Sequence, residues 1–180
     1  MLTAHFGEFV GFMEIPRNRG WLPDAGNRLT GVPLGSPWCA SSMYYGFHTA
    51  VPCITAVRSA WVPAWHGRGT GMVVTHDRRW VTPAGYKPLL KPGCLFTIHF
   101  QSKNRDAHIG MIESVSKDWV SFTTLEGNTN NGHSREGNGF YRNTRRVASI
   151  SKCVCPPELL TAEEFEKFFL QRPYRVRSAK

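Results

Sequence analysis

The sequence predicts an α+β domain with N-terminal helices packed on a central antiparallel β-sheet. Three observations carry this expectation. Met43, Phe47 and Ala50 share one face at helical spacing behind Pro37, in the first third of the chain. From Pro92 onward the pattern changes to short runs rich in β-branched and aromatic residues. The 17 glycines and 12 prolines supply many turns, which disfavours a helical bundle.

In chain order, an amphipathic stretch over 6–14 reads as helix, and the rest of 1–37 reads as loop because Pro and Gly recur through it. A helix is expected from about Trp38 to Ala50, opened by Ser36 or Pro37 and ended by Pro52. The stretch 53–69 reads as a short helix broken at Pro63 and followed by a glycine loop. Its "GRGTG" lacks the Gly-Lys-Ser/Thr ending and the preceding strand of a phosphate loop. Strands are expected at 94–100, 107–115, 119–128 and 139–150. A closing amphipathic helix, "ELLTAEEFEKFF", carries a capping box at Thr161 and Glu164. The expected organisation is one domain over 1–155, followed by a C-terminal helix and basic tail over 156–180.

With 180 residues and 41% apolar content, the chain can bury a core of its own. Its net charge of +9 predicts attraction to polyanions. Much of the excess is local: Arg135, Arg142, Arg145 and Arg146 crowd one segment, and Lys167, Arg172, Arg175, Arg177 and Lys180 form an acid-free tail. A solvated charged face is the alternative reading of each cluster. The first 20 residues lack a basic start, and Glu8 interrupts their apolar stretch, so neither a secretory signal nor a membrane span is expected there. No helix-turn-helix, zinc-finger or RNA-recognition signature supports specific nucleic-acid binding. The five cysteines are odd in number and lack framework spacing, so a disulfide scaffold is not expected. Cys153 and Cys155 have no second pair near them, and no H-E-x-x-H motif occurs, which weighs against a zinc amidase.

Cys39 sits where a helix begins, and unpaired backbone N–H groups there stabilise a thiolate. A buried core thiol fits the same position. A nucleophile also needs a base, and the base needs an orienting group. Of the seven histidines, His108 is set apart by register. If 107–115 and 119–128 form a hairpin around Ser116-Lys117-Asp118, His108 stands opposite Glu126, with Asn128 diagonal on the same face. A shift of one residue would remove this alignment, leaving ordinary polar residues of a sheet.

The segments "GSPWCASSMYYGF", "KPGCLFTIHF", "AHIGMIESV" and "TLEGNTNNGHSREGNGFYR" resemble, in order and spacing, successive blocks of the CHAP family. These are cysteine, histidine-dependent amidohydrolases/peptidases of the papain-like, NlpC-type clan, and the resemblance covers about residues 7–150. It implies a papain-like fold, Cys39 as nucleophile, His108 as base, Glu126 as its orienter and Asn128 as an additional or substitute orienter. It implies peptidoglycan as substrate, cut at the N-acetylmuramoyl–L-alanine amide or at a stem or cross-bridge peptide bond. Trp38, beside the nucleophile, would line the groove or serve as a core aromatic. No cofactor is implied, and Asp24 stands nearly alone where some members carry a calcium-binding acidic loop, so no metal is expected. A monomer is expected, made without a signal peptide and acting on the bacterial wall as a phage lysin, virion-associated enzyme or secreted effector, with the basic tail against anionic wall polymer. Cys94 stands where the family usually has an acidic residue, and Ser41 and Ser42 replace apolar ones.

Overall fold

The computed structural model describes residues 2–50, 53–130, 137–171 and 175–176. Three helices come first: α1 (Leu2–Gly7), α2 (Trp21–Thr30) and α3 (Cys39–Ala50). After a 3₁₀ turn at Val62–His66 follow β1 (Val73–Asp77), β2 (Trp80–Val81), β3 (Leu95–Phe100), β4 (Arg105–Val115), β5 (Ser121–Thr129), β6 (Gly139–Arg146) and β7 (Lys152–Cys155). The chain closes with α4 (Ala162–Phe165), which runs on as π-helix over Glu166–Leu170, and with β8 (Arg175–Val176). Six strands form one antiparallel sheet in the order β1-β7-β3-β4-β5-β6, while β2 and β8 pair separately. The protein is therefore α+β, and among the described residues no helix is long and apolar enough to cross a membrane.

Strand alternation splits the core between the two faces of the sheet. Leu95, Ile109, Met111, Leu125 and Val154 pack with Phe6, Leu22, Met43 and Phe47 of the helices. Their sequence neighbours Phe96, Ile112, Cys153 and Cys155 pack with Leu90, Phe122 and Ile150 on the other face. At the C-terminal end, Lys91 reaches Glu164 at 2.7 Å, and the expected capping box of Thr161 and Glu164 is present.

Several expectations need correction. The stretch read as loop before residue 37 contains α2. Its Pro23 falls in the first turn, where an N–H has no partner to lose, and its Gly26 lets the helix press close against Ser41 of α3. The first helix ends at Gly7 rather than spanning 6–14, and 53–69 holds only the 3₁₀ turn. Strands β1 and β7 escaped the periodicity reading, because β7 is buried on every residue and β1 is short. β6 ends at Arg146, where a 3₁₀ turn over Val147–Ser149 takes the place of the expected strand. Cys94 and Cys155 are disulfide-bonded, against the expectation from cysteine count. Arg135 and the tail residues Arg172, Arg177 and Lys180 lie outside the described residues.

Candidate active site

Helix α3 begins one residue after Trp38, whose carbonyl accepts the Ser42 N–H at 2.8 Å, so Cys39 is the first helical residue. Pro37 stiffens the approach without losing a donor the helix needs. Ser42 returns its hydroxyl to the Cys39 carbonyl at 2.8 Å. Small side chains on this turn let the sheet come near. A Cβ at Gly127 of β5 would strike Ser42 and lie 2.7 Å from the Trp38 ring. The strand that carries Glu126 is thereby seated against the start of α3, the helix of Cys39.

Cys39 is buried, and its sulfur is close enough to His108 and to the backbone N–H groups of Ile109 and Ala40 for all three to favour the thiolate. The His108 ring lies across from the Phe96 ring at 6.5 Å. Its Nε2 is 2.6 Å from Glu126 Oε2, which leaves Nδ1 for the thiol. Three residues from α3, β4 and β5 are thus linked in a row: thiol, imidazole, carboxylate.

The row survives a register different from the expected one. The connection between β4 and β5 spans 116–120 rather than three residues. Near the turn Val115 pairs with Phe122 and Ser114 with Thr123, but beyond a bulge at Glu113 the pairs become Ile112–Thr124 and Met111–Leu125. Continued without that bulge, the turn-side register would put Glu126 on the opposite face from His108. The extra residue restores the parity, so Glu126 stands across from Gly110 and reaches His108 diagonally. Gly110 is required there, since a Cβ would meet Glu126 Cγ at 2.7 Å and the Phe96 ring at 2.8 Å.

Glu126 is completely buried and fully engaged. Arg145 of β6 donates to it twice, Nε to Oε1 at 2.8 Å and Nη2 to Oε2 at 2.6 Å, and the Thr124 hydroxyl donates to Oε1. Burial pushes the carboxyl up, but Arg145 and His108 together outweigh it and hold Glu126 well below the usual carboxylate range. Burial likewise opposes the charged imidazole, yet its bonds to Cys39 and Glu126 push His108 up to about 9. Burial raises the Cys39 thiol, and the His108 contact with the two backbone N–H groups more than reverses that, leaving it below its ordinary value. The three shifts favour a thiolate–imidazolium pair.

The remaining candidates divide. Asn128 sits at a bulge of β5 with φ of 54°, and no hydrogen bond joins it to His108 among the described residues. Trp38 is fully buried, its Nε1 donating to Glu14 at 2.8 Å and its ring edge-on to Phe12. That corrects the expectation of a groove-lining ring: the indole N–H finds a carboxylate inside, and Gly127 covers the ring. Arg145 was missed as a site residue. On sequence it belongs to a charged strip facing polymer; the β5–β6 pairing turns it onto the Glu126 face, and only that register could have revealed it. Arg142 is likewise paired, to Glu113 at 2.7 Å. Cys153 is buried away from this row, with burial pushing its thiol up to about 12 against a contact from Thr75. Among the described residues, no group of three or more His, Cys, Asp or Glu side chains could hold a metal ion.

No family model and no curated protein matches the chain. One solved structure, titled "The crystal structure of Ly7917", is similar over 77% of this chain at 19% identity and a TM-score of 0.44. The chain spans 63% of that structure's length.

Proposed function

We propose that this protein is a cysteine-dependent amide hydrolase of the CHAP kind, with a papain-like arrangement, acting on peptidoglycan. The observation that carries the reading is the row Cys39–His108–Glu126 at the first turn of a helix, with Arg145 holding the carboxylate. The substrate class rests on the four-block sequence resemblance.

In this reading the Cys39 thiolate attacks the amide carbonyl carbon and forms a tetrahedral intermediate. Its oxyanion is stabilised by backbone N–H groups at the start of α3. Protonated His108 transfers its proton to the leaving nitrogen as the C–N bond breaks, leaving a thioester on Cys39. The now neutral imidazole takes a proton from water, whose oxygen attacks the thioester. Collapse of the second intermediate releases the carboxylic acid and restores the thiolate–imidazolium pair. Glu126 fixes the ring and stabilises its charge, while Arg145 and Thr124 keep that carboxylate ionised and aimed.

Digestion of purified peptidoglycan by the wild type and by Cys39→Ala, with new termini identified by mass spectrometry, tests the proposal. New amino and carboxyl termini from the wild type alone are expected. Identical products from both proteins would exclude Cys39 as the nucleophile.

A further inference from the structure

The sheet end that carries His108 also carries a second group of charged residues. Antiparallel pairing brings the end of β1 (Asp77), the start of β7 (Lys152), the end of β3 and the start of β4 (Arg105, Asp106) to the same rim. At its centre Asp106 is buried and accepts from Ser151 at 2.7 Å and Thr97 at 3.1 Å. His66 Nε2 lies 3.0 Å from it, His99 Nδ1 3.4 Å and Lys152 Nζ 3.4 Å. Lys152 also reaches Asp77 at 3.4 Å, and Arg79 clasps Asp77 at 2.8 Å. Asp77 is thus held by Arg79 and Lys152, and Asp106 by Lys152, two hydroxyls and the adjoining imidazoles, so both buried carboxylates act as a fixed base under the rim.

Two adjoining cavities open above this base, of about 580 and 240 Å³, both lined by His66, Arg79 and Lys152. The glycine loop contributes Arg68 to the larger one, and Arg78 and Arg105 line the smaller. Among the described residues these three arginines have no carboxylate partner. Arg105 is instead braced, stacked 3.9 Å over the Trp61 ring and donating to the Asp106 carbonyl at 3.1 Å. A cavity wall with uncompensated guanidinium groups is suited to an oxyanion.

We propose that this cationic rim binds a carboxylate of the peptide substrate, an assignment that rests on the amide-hydrolase reading. A thiolate that attacks amides calls for a peptide, and the anions of a peptide are carboxylates. With strands about 4.8 Å apart, β7 lies roughly 10 Å from the strand of His108. The rim therefore selects peptides that carry a free carboxylate.

The test uses the full chain carrying Cys39→Ala, so that binding is read without turnover. Calorimetry compares the synthetic peptide L-Ala-γ-D-Glu-L-Lys-D-Ala as free acid, amidated at the glutamate α-carboxyl, and amidated at its C-terminus. Amidation of one or both groups is expected to weaken binding about tenfold, the effect of losing one charge-assisted hydrogen-bonded pair. The amide that weakens it identifies whether an internal or a terminal carboxylate is read. Adding Arg68→Gln and Arg78→Gln, both at exposed positions, is expected to erase the preference. Equal affinity for all three peptides, no binding of the free acid, or a preference that survives both substitutions would overturn the proposal. Failure of the wild type to release new termini from peptidoglycan would instead sink the hydrolase reading, so the two fail by different measurements.

Discussion

Replacing Arg145 by methionine keeps most of the side chain's stem and removes the fork that holds Glu126. The carboxylate is completely buried, and it would keep only His108 and Thr124 as partners. Stripping one partner from a buried ion pair costs about 3–5 kcal/mol. The Arg145 side chain is 31% exposed, so water already screens its outer edge and the lower end, about 3 kcal/mol, applies. For a chain of this size that corresponds to a fall in Tm of about 6–12 °C. The sign of the pH dependence follows from linkage. Glu126 has a depressed folded-state pKa, so the stability it lends is present above its unfolded value of about 4.3 and is lost as pH falls through the folded value. The gap between Arg145→Met and wild type should be full at pH 7 and narrow as pH drops below about 4. Arg145→Lys should recover only part of it, because an ammonium cannot donate in the two-pronged geometry. Thermal unfolding followed by circular dichroism at pH 7 and pH 3 measures both. Equal Tm values at pH 7, or a gap unchanged at pH 3, would refute the role given to Arg145.

The hydrolysis rate should follow a bell, rising as Cys39 ionises below its ordinary value and falling as His108 loses its proton at about 9. His108 has a raised folded-state pKa, so its contribution to stability is complete below about 6.5 and disappears as pH rises through 9. A kcat/KM profile with no alkaline fall would contradict this. Gly110→Ala should displace Glu126 from His108, costing about 1–3 kcal/mol in Tm-derived stability and most of the activity; unchanged kinetics would show that the diagonal contact is dispensable. Iodoacetamide at neutral pH should alkylate Cys39 and the exposed Cys53 but spare Cys153, as read by peptide mass spectrometry. Reducing the Cys94–Cys155 bridge releases a loop with a sequence separation of 61 residues. It should lower stability by about 4 kcal/mol in a denaturant titration; identical midpoints with and without reductant would remove the bridge from the stability account.

Local physics is legible in a chain, and α3, the capping box at Thr161 and the strands of the β4–β5 hairpin were readable because propensity, Pro placement and alternation act within a few residues. α2 was not, since the closeness that needs Gly26 exists only once α3 lies beside it. The disulfide was equally hidden: Cys94 and Cys155 meet because β3 and β7 are neighbours in the sheet, which cysteine count cannot say.

The sequence by itself determined that Cys39 opens a helix and that His108 and Glu126 share a face parity under one assumed hairpin. Tertiary structure decided how that parity is achieved, through a longer turn offset by a bulge at Glu113. It also decided which way the charged residues face: Arg145 inward onto Glu126, and Arg68, Arg78 and Arg105 into the cavities at the rim of the sheet. The physical reason is that strand alternation is a local rule, whereas register and strand order depend on loop lengths, bulges and long-range packing. A charge whose partner lies on another strand is assigned only when that register is known.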